Sequence, residues 1–439
     1  MTRHRFLTQI DDAVIVRAHG FVRKVAQGYF EATGPACTVG DLCAVGAQRS
    51  PLLAEVVAVD ENGLILVPLE LRHPIHPGTQ VFKSPQGGGV GVGAAYAGRA
   101  IDALGRPLDG GNAIAAEAVV PLVGNVPRPL DRAPPARKVV TGVRAIDGLL
   151  TLGEGQRVGI FAASGVGKTS LLEQLTAQIE ADRCVICLVG ERGREVEGFW
   201  SSLSARPDSS KFTLVASTSD ETAAMRARAA SAALCLAEYW RDRGEHVLFV
   251  VDSVTRLAMA LREIGLAAGE PPTVRAYTPN VFGALPRLVE RCGATRSAGS
   301  ITAIMTVLSE TDDVDDPIVE VMKSLLDGHI VLSRELAERG HFPAIDVSRS
   351  ISRQASRLME RSHAAAARTA IALLGVHEEA RVMIEGGFYK SGASAEIDRA
   401  IVARAAMTGF LQQGQDDTVP FDRTVTALCA AIPPESAHV

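Results

Sequence analysis

A glycine-rich turn between a predicted strand and a predicted helix contains residue types that bind a phosphate chain. The turn, AASGVGKT, starts at Ala162, and its glycines let successive backbone N–H groups point at an anion beside a helix N-terminus. In such a turn the amine of Lys168 reaches the β- and γ-phosphates of a nucleotide, and the hydroxyl of Thr169 binds Mg²⁺. Ala162 replaces the first glycine of the strict GxxxxGK[ST] pattern, so supporting residues must decide whether ATP binds here. The residues expected to bind it are Ala162, Ala163, Ser164, Gly165, Val166, Gly167, Lys168, Thr169 and Ser170.

Two carboxylates that follow apolar strands are candidates for chemistry on that phosphate chain. Asp252 ends the apolar run VLFVVD. In P-loop enzymes an acid in the same position, at the end of an apolar strand, holds the water shell of the magnesium ion. Glu191, in GERGRE, follows another strand and is therefore expected at the carboxyl edge of the sheet, where open α/β folds bind ligands. There Glu191 can orient or deprotonate the attacking water, and Arg192 can hold the γ-phosphate. The alternatives are an acid that ends a buried strand by chance and a solvated charged turn.

The order of the predicted elements indicates an α/β fold that would position these residues. Residues 1–85 contain short apolar runs separated by turn signals, which indicates a β domain, either a small barrel or a sandwich. From about Val139 strands and helices alternate, which indicates a parallel sheet covered by helices. After about Arg357 the chain becomes Ala-rich and helical. We therefore predict a β domain over residues 1–85, a nucleotide domain over 86–357 and a helical domain over 358–439.

Length and composition exclude several classes of protein. The chain has 439 residues, enough for about three domains at roughly 150 residues each. Its net charge of −5 and its aromatic content of 5% disfavour a nucleic-acid partner, which needs a basic surface with aromatic residues for stacking. No apolar run approaches the roughly 18 residues that cross a bilayer. The N-terminal residues also lack the apolar core of a signal peptide.

The cysteines indicate a reducing compartment. There are seven in a chain without a secretory signal, which is typical of a cytoplasmic protein. Cys184 and Cys187 form a CxxC, but no second pair follows at zinc-finger spacing. Because they lie within an apolar run of strand length, we interpret them as two buried strand residues and keep a metal or redox pair as the alternative.

With these residues in place, the chain resembles the ATPases of type III protein secretion, the injectisome and flagellar-export group related to the catalytic subunits of rotary ATP synthases. An alanine at the first P-loop position is ordinary in that family. The resemblance covers nearly the whole chain, and the segments that carry it are TGVRAIDGLLTLGEGQRVGIFAASGVGKT, VGERGREVEGF, VVDSVTRLAMALREI, AYTPNVFGALPRLVERCG, SLLDGHIVLSRELAERGHFPAID and SISR.

The resemblance implies a role for each candidate residue. It makes Lys168 and Thr169 the phosphate and magnesium residues, and Asp252 the Walker B acid. It makes Glu191 the carboxylate that activates water, and Arg192 a contact of the γ-phosphate.

Two further positions take their roles from the resemblance alone. Phe342 matches the position that packs near the adenine, and Arg353 matches an arginine finger that acts on the ATP of the neighbouring subunit. Without the resemblance, the spacing of Arg349, Arg353 and Arg357 by four residues would favour one solvated helix face.

The resemblance also implies an assembly and its partners. It implies a three-part protomer with a small β-barrel, a RecA-like nucleotide domain and a C-terminal helical domain, and a homohexamer that uses ATP and Mg²⁺. The implied partners are chaperone–effector complexes, stalk and negative-regulator proteins and the export gate, with no nucleic acid. The implied location is the cytoplasm, peripheral to the inner membrane.

Three other protein classes compete with this hypothesis. They are the catalytic β subunit of a rotary ATP synthase, a Rho-like RNA-dependent ATPase and a non-catalytic nucleotide-gated scaffold. Within the secretion family, the segment VLSETDDVDDPIVEVMKSLLDG favours an injectisome over a flagellum.

Two further features are expected to be structural. The acidic stretch of residues 310–316 lacks the glycine and the final glutamate of an EF-hand, so a solvated loop is favoured over a metal site. His329, in DGHIVLSR, is interpreted as a packing residue.

Overall fold

A closed antiparallel barrel forms the N-terminal part of the computed structural model, which describes residues 18–46, 51–70, 74–85, 87–309 and 316–434. Alternate side chains of its strands point into a small apolar core that includes Val22, Val56 and Leu66. The strands join in the order β1-β2-β5-β4-β3-β6. Their bounds are β1 His19–Ala26, β2 Tyr29–Ala32, β3 Leu42–Val45, β4 Leu52–Asp60, β5 Gly63–Pro68 and β6 Gln80–Lys83.

A large and mostly parallel sheet follows the barrel. Its main path runs β20-β19-β13-β18-β16-β14-β15-β8, and only β20 at one edge is antiparallel to its neighbour along that path. The remaining strands are β7 Val90–Val92, β8 Ala100–Ile101, β9 Ala118–Val120, β10 Arg132–Ala133, β11 Lys138–Val139, β12 Leu152–Gly153, β13 Arg157–Ala162, β14 Arg183–Glu191, β15 Phe212–Thr218, β16 His246–Asp252, β17 Gly293–Thr295, β18 Ser300–Leu308, β19 Gly328–Leu332 and β20 Ile345–Ser352.

Helices cover both faces of this sheet, which explains why its central strands are continuous apolar runs. In β14, Cys184 and Ile186 pack into one core, and Val185 and Cys187 pack into the other. The helices of this part of the chain are α1 Arg144–Leu149, α2 Lys168–Gln178, α3 Gly193–Ser204, α4 Ala223–Arg241, α5 Val254–Ala267, α6 Pro279–Glu290, α7 Pro317–Leu325 and α8 Arg334–Glu338.

The C-terminal part of the described chain is helical and shares a core with α2. Leu374, Met407 and Phe410 of this part are buried with Leu171 and Leu172 of α2. The C-terminal helices are α9 Ala355–Leu358, α10 Arg361–Glu385, α11 Ala395–Leu411 and α12 Phe421–Ala431. The predicted combination of a β domain, a parallel-sheet nucleotide domain and a helical C-terminal part is therefore confirmed, and the β domain is a barrel.

The alternative of one helix face for the three arginines is wrong. Arg349 lies in strand β20, and Arg353 follows the end of that strand, whereas Arg357 lies in helix α9. The strand forms because the buried residues Ile345 and Val347 alternate with a more exposed residue and because the strand pairs with β19, Ile345 opposite Leu332.

The two cysteines of β14, His329 and Asp316 of the acidic stretch have structural roles. Cys184 and Cys187 are buried in β14, and burial raises the pKa of the Cys184 thiol to about 12, which suits packing residues rather than reactive thiols. His329 packs edge-on against Phe161 at a centroid distance of 5.9 Å, as a packing residue should. Of the acidic stretch, residues 310–315 lie outside the described residues, and Asp316 caps α7 by accepting hydrogen bonds from Ile318 and Val319.

Among the described helices, none is long and apolar enough to cross a membrane.

Candidate active site

The phosphate-binding turn lies between the middle of the sheet and helix α2. Strand β13 pairs in parallel with β18 and β19, so the turn leaves the sheet at its carboxyl edge. Gly165 and Gly167 have φ angles of 79° and 90°, in the left-handed region that favours glycine. Ser164, Thr169 and Ser170 are exposed. The N-terminus of α2 and the hydroxyl groups around it are therefore open to an anionic ligand.

Three charged side chains from different elements meet beside this turn. Lys168, the first residue of α2, forms an ion pair with Asp252 at the end of β16, and its Nζ lies 3.7 Å from Oε1 of Glu191. Thr306 of β18 donates a hydrogen bond of 2.6 Å to Oδ1 of Asp252. The ends of three strands thus bring together the lysine and both carboxylates that the sequence indicated.

A local irregularity places Glu191 in the site. Strand β14 shifts register between Val189 and Glu191, and Gly190 between them has a φ of 69°. A bulge of this kind redirects the side chain that follows it. Glu191 therefore faces the phosphate turn instead of continuing the alternation of the strand.

Arg256, which the sequence reasoning did not single out, clamps this bulge. It lies in the first turn of α5, and its guanidinium donates a hydrogen bond of 2.7 Å to the carbonyl oxygen of Gly190. Its Nε is 3.2 Å from Oε1 of Glu191. The only sequence signal was its place four residues after Asp252, because the contact itself depends on how α5 packs against β14.

The environment of Glu191 favours its protonated form. The residue is 6% exposed, and burial together with the charge of Asp252 raises the pKa of its carboxyl group to about 7, against the opposing charges of Lys168 and Arg256. Its Oε1 accepts no hydrogen bond from any described residue. A carboxylate with this pKa and a free acceptor atom has the properties of a general base that works near neutral pH.

The acids and hydroxyls of the site suit magnesium bound together with a nucleotide. No group of three or more His, Cys, Asp or Glu residues in the described part of the chain could hold a metal ion. Magnesium, however, is usually held by one or two carboxylates together with substrate phosphates and water. Asp252 and the exposed Thr169 fit that partial donor set, and the nucleotide would supply the remaining ligands.

Phe342 lies next to the phosphate turn and is open to solvent. A Cβ atom added to Gly167 would be 3.4 Å from Cε1 of the Phe342 ring, and 46% of Phe342 is exposed. The backbone N–H of Gln413 donates a hydrogen bond of 2.9 Å to the Phe342 carbonyl, which ties this segment to the C-terminal helices. An exposed ring in this place can stack on a nucleotide base.

Arg192 and Arg353 are not part of the cluster around Lys168. Arg192 directly follows Glu191 but is exposed, and its side chain makes no hydrogen bond or ion pair with a described residue. Its carbonyl oxygen accepts hydrogen bonds from the N–H groups of Glu195 and Val196 at the start of α3. Arg353 follows the last residue of β20, Ser352, which pairs with Gly328 at the start of β19. Gly328 in turn pairs with Val158, near the start of β13.

Arg353 therefore lies at the opposite end of the strands from the phosphate turn. From Val158 to the end of β13 the chain advances roughly 13 Å, and two strand spacings add about 10 Å across the sheet. An arginine side chain cannot cover this distance, so Arg353 cannot reach the phosphate site of its own chain.

Comparisons with known proteins identify the family of the chain. The ATP synthase alpha/beta family, nucleotide-binding domain, matches residues 142–352, and the T3SS EscN ATPase C-terminal domain matches residues 359–430. The chain is 44% identical over 415 residues to the flagellum-specific ATP synthase of Bacillus subtilis (strain 168), covering 94% of each protein. It is 42% identical to the type 3 secretion system ATPase of Xanthomonas euvesicatoria, covering 94% of this chain and 93% of that one.

The chain belongs to the type III secretion ATPase family. It is similar in structure to the assembled ATPase EscN of the enteropathogenic E. coli type III secretion system, with a TM-score of 0.90 at 41% identity, covering 94% of this chain and 100% of that chain. EscN in complex with its central stalk EscO gives a TM-score of 0.85 at 40% identity, with the same coverage.

Membership in the type III secretion ATPase family settles the kind of enzyme. The chain is an ATPase of type III secretion or flagellar export, with an ATP synthase-like nucleotide-binding domain. Because the matches to secretion ATPases extend over 94% of the chain, they do not favour a rotary-synthase β subunit or a Rho-like ATPase.

Proposed function

We propose that this chain is the homohexameric motor of type III protein secretion and that each ATP site is completed by the neighbouring subunit. The observation that carries this proposal is the separation of the two halves of the site. Lys168, Glu191 and Asp252 meet at the carboxyl edge of the sheet, whereas Arg353 lies at the other end of the strands. In a ring of heterologous interfaces, the far end of one subunit can face the near end of the next.

Binding of ATP would rearrange the charged cluster. The β- and γ-phosphates compete with Asp252 for Lys168, which is paired with that carboxylate in the free chain. Asp252 and Thr169 are then free to hold Mg²⁺, which would neutralise charge on the phosphates.

Hydrolysis then depends on Glu191 and on the arginines. Glu191, held by Arg256, accepts the proton of the attacking water. Arg192 and the Arg353 of the adjacent subunit stabilise the charge on the transferring phosphoryl group. Because one arginine comes from a second subunit, hydrolysis is coupled to the packing between subunits.

The proposed work of the ring is to release chaperones from secretion substrates and to prepare those substrates for export. The proposed partners are chaperone–effector complexes, stalk and negative-regulator proteins and the export gate, at the cytoplasmic face of the inner membrane. EscN, which has been solved as an assembly and with its central stalk EscO, supports the ring and the stalk. The net charge of −5 supports the exclusion of nucleic acid.

We further propose that the ring serves an injectisome, because the sequence of residues 307–328, VLSETDDVDDPIVEVMKSLLDG, favours an injectisome over a flagellum. Deletion of the gene should then abolish effector secretion and leave motility intact. Loss of motility with normal secretion would assign the protein to a flagellum instead.

Mixed rings test the shared site directly. Lys168→Ala subunits lack the phosphate contact but keep Arg353, and Arg353→Ala subunits have the reverse defect. Each variant alone should be inactive, whereas an equal mixture should regain ATPase activity, because about one interface in four then has both intact halves. Differently tagged subunits verify that the rings are mixed. Verified mixed rings without any recovery would contradict a site completed in trans.

A further inference from the structure

The start of β19 and the end of β20 are joined to β13 through Asp327, which lies directly before Gly328. The Asp327 carboxylate accepts three hydrogen bonds from Arg157, the first residue of β13. Its Oδ2 accepts from the Arg157 backbone N–H at 3.0 Å and from Nε at 2.9 Å, and its Oδ1 accepts from a terminal nitrogen at 3.0 Å. The Asp327 N–H also donates to the Arg157 carbonyl at 2.8 Å. Asp327 is thus fixed to the sheet by its side chain and by its backbone.

The same residue holds the backbone of Arg353. The N–H of Arg353 donates a hydrogen bond of 3.0 Å to the carbonyl oxygen of Asp327. The Arg353 guanidinium donates to the carbonyl of Lys323, at 3.2 Å, near the end of α7. Both contacts of Arg353 are therefore made to the short segment 323–327 that Arg157 anchors.

A close backbone approach makes this corner rigid. A Cβ atom at Gly328 would lie 2.6 Å from the carbonyl oxygen of Ile351, so β19 and β20 are in contact there without room for a side chain. The side-chain amide of Gln156 adds hydrogen bonds of 3.3 Å to the Asp327 carbonyl and 3.1 Å to the Ser352 hydroxyl.

We propose that Asp327 is a positioning residue for Arg353. The Arg157–Asp327 pair holds Arg353 at the position along the sheet from which its side chain enters the ATP site of the next subunit. This inference rests on the proposed function, because it assumes that Arg353 acts in trans. Arginine fingers contribute about 10³- to 10⁵-fold in rate in other phosphoryl-transfer systems, and they do so only when they are correctly placed. A displaced corner should therefore lower kcat while ATP binding to the same chain is retained.

The test uses Asp327→Asn in full-length rings, with ATP binding and hydrolysis measured separately. We expect roughly a tenfold or greater fall in kcat with little change in the Kd for ATP, since the phosphate turn lies at the other end of β13. Asp109→Asn is a matched control, because Asp109 forms a similar two-pronged pair with Arg99 at 2.6 and 2.9 Å next to β8, far along the sheet. The control should retain the wild-type kcat.

Mixed rings then show which half of the site Asp327 serves. If Asp327 positions Arg353, Asp327→Asn subunits regain activity when mixed with Lys168→Ala subunits and gain nothing from Arg353→Ala subunits. The opposite pattern would show that Asp327 supports the phosphate turn of its own chain, and this would overturn the proposal. Recovery with neither partner, or a wild-type kcat, would overturn it too.

Two further measurements keep the test decisive. Should Asp327→Asn fail to fold, Gly328→Ala disturbs the same corner through the Ile351 carbonyl and should give the same mixing pattern. The mixture of Lys168→Ala with Arg353→Ala is run in parallel. Its failure would contradict the shared site itself, whereas its success with a different pattern for Asp327 would contradict only the positioning role.

Discussion

Glu191 occupies a position that disfavours its charged form. It is buried beside Asp252, and these two influences raise its pKa to about 7 even though Lys168 and Arg256 lie within 3.7 and 3.2 Å of it. Glu191 must be ionised to act as a base. A pKa near 7 means that it also binds a proton readily at neutral pH. The free energy lost by burying it is the kind of local cost that enzymes accept at functional sites.

Removing the base should stop hydrolysis and leave binding intact. Glu191→Gln preserves the size of the side chain and loses the ability to take a proton, so kcat should fall by about two orders of magnitude or more. ATP affinity should change little, because Lys168 and the turn remain. Single-turnover hydrolysis and equilibrium nucleotide binding measure the two effects. Turnover close to that of the wild type would show that another group is the base.

The raised pKa of Glu191 also predicts how activity and stability depend on pH. For the free enzyme, kcat/KM should rise with pH along a limb centred near 7, because only the ionised form accepts a proton.

The pKa of Glu191 in the folded state lies above the ordinary value of 4.5, so the folded state holds the proton more tightly than the unfolded state does. That contribution to stability is complete below about pH 4.5 and is lost as the pH rises through about 7.

Glu191→Gln lacks this titration and serves as the comparison for stability. The variant should melt at a higher temperature than the wild type near pH 8, and the difference should shrink toward pH 5, as measured by thermal unfolding in about one-unit steps of pH. A constant difference across this range would show that Glu191 is not the group that titrates.

At the scale of single residues, sequence and structure differ in what they can show. Lys168, Glu191 and Asp252 stand at recognisable places in the chain, after strands or at the start of a helix, so their types and spacing predicted that they meet. Arg256 and Thr306 could not be found in this way. Their roles depend on how one helix packs against the Gly190 bulge and on which strand lies beside β16.

At the scale of elements, β20 shows where periodicity misleads. Arginines at every fourth position are typical of a helix face, yet β20 is a strand that ends at Ser352. Pairing with β19 and the burial of Ile345 and Val347 outweigh the local spacing, since tertiary contacts decide short segments. The barrel, the parallel sheet and the C-terminal helices were predicted because each repeats its own period over many residues.

The segment containing Phe342 connects the phosphate turn to the C-terminal helices. Phe342→Ala should raise the KM for ATP by about 5- to 150-fold, which corresponds to the 1–3 kcal/mol that a stacked base contributes, with a smaller effect on kcat. Phe342→Tyr keeps a ring and is the matched control, expected to retain most of the affinity. Steady-state kinetics and nucleotide binding measure both variants. Equal ATP affinity in the alanine and tyrosine variants would show that Phe342 does not stack on the nucleotide base.

At the scale of the whole molecule, the sheet has two functional ends. The phosphate turn, Glu191 and Asp252 lie at the carboxyl edge, and Arg353 with its anchor Asp327 lies at the other. The interior of the sheet separates these two ends. On the proposed shared site, the distance between the ends of one chain would fix where its neighbour must sit for hydrolysis.

Specific activity should therefore depend on protein concentration. Dilution below the dissociation constant of the ring should lower the ATPase rate per subunit, and the rate should rise again as the concentration increases, because a separate subunit lacks a finger. Activity assays paired with measurements of mass in solution would follow both quantities across the same range. A rate per subunit that stays constant while the ring dissociates would show that one chain suffices.

The position of Arg353 at the far end of its own sheet has a consequence for the cell. On the proposed shared site, newly made subunits that have not yet joined a secretion apparatus would hold ATP without consuming it, because none of them would contain a complete site. Energy expenditure would then be confined to places where a ring has been built, without a separate inhibitor for each free subunit. The layout of a single sheet would thus serve as a checkpoint on assembly.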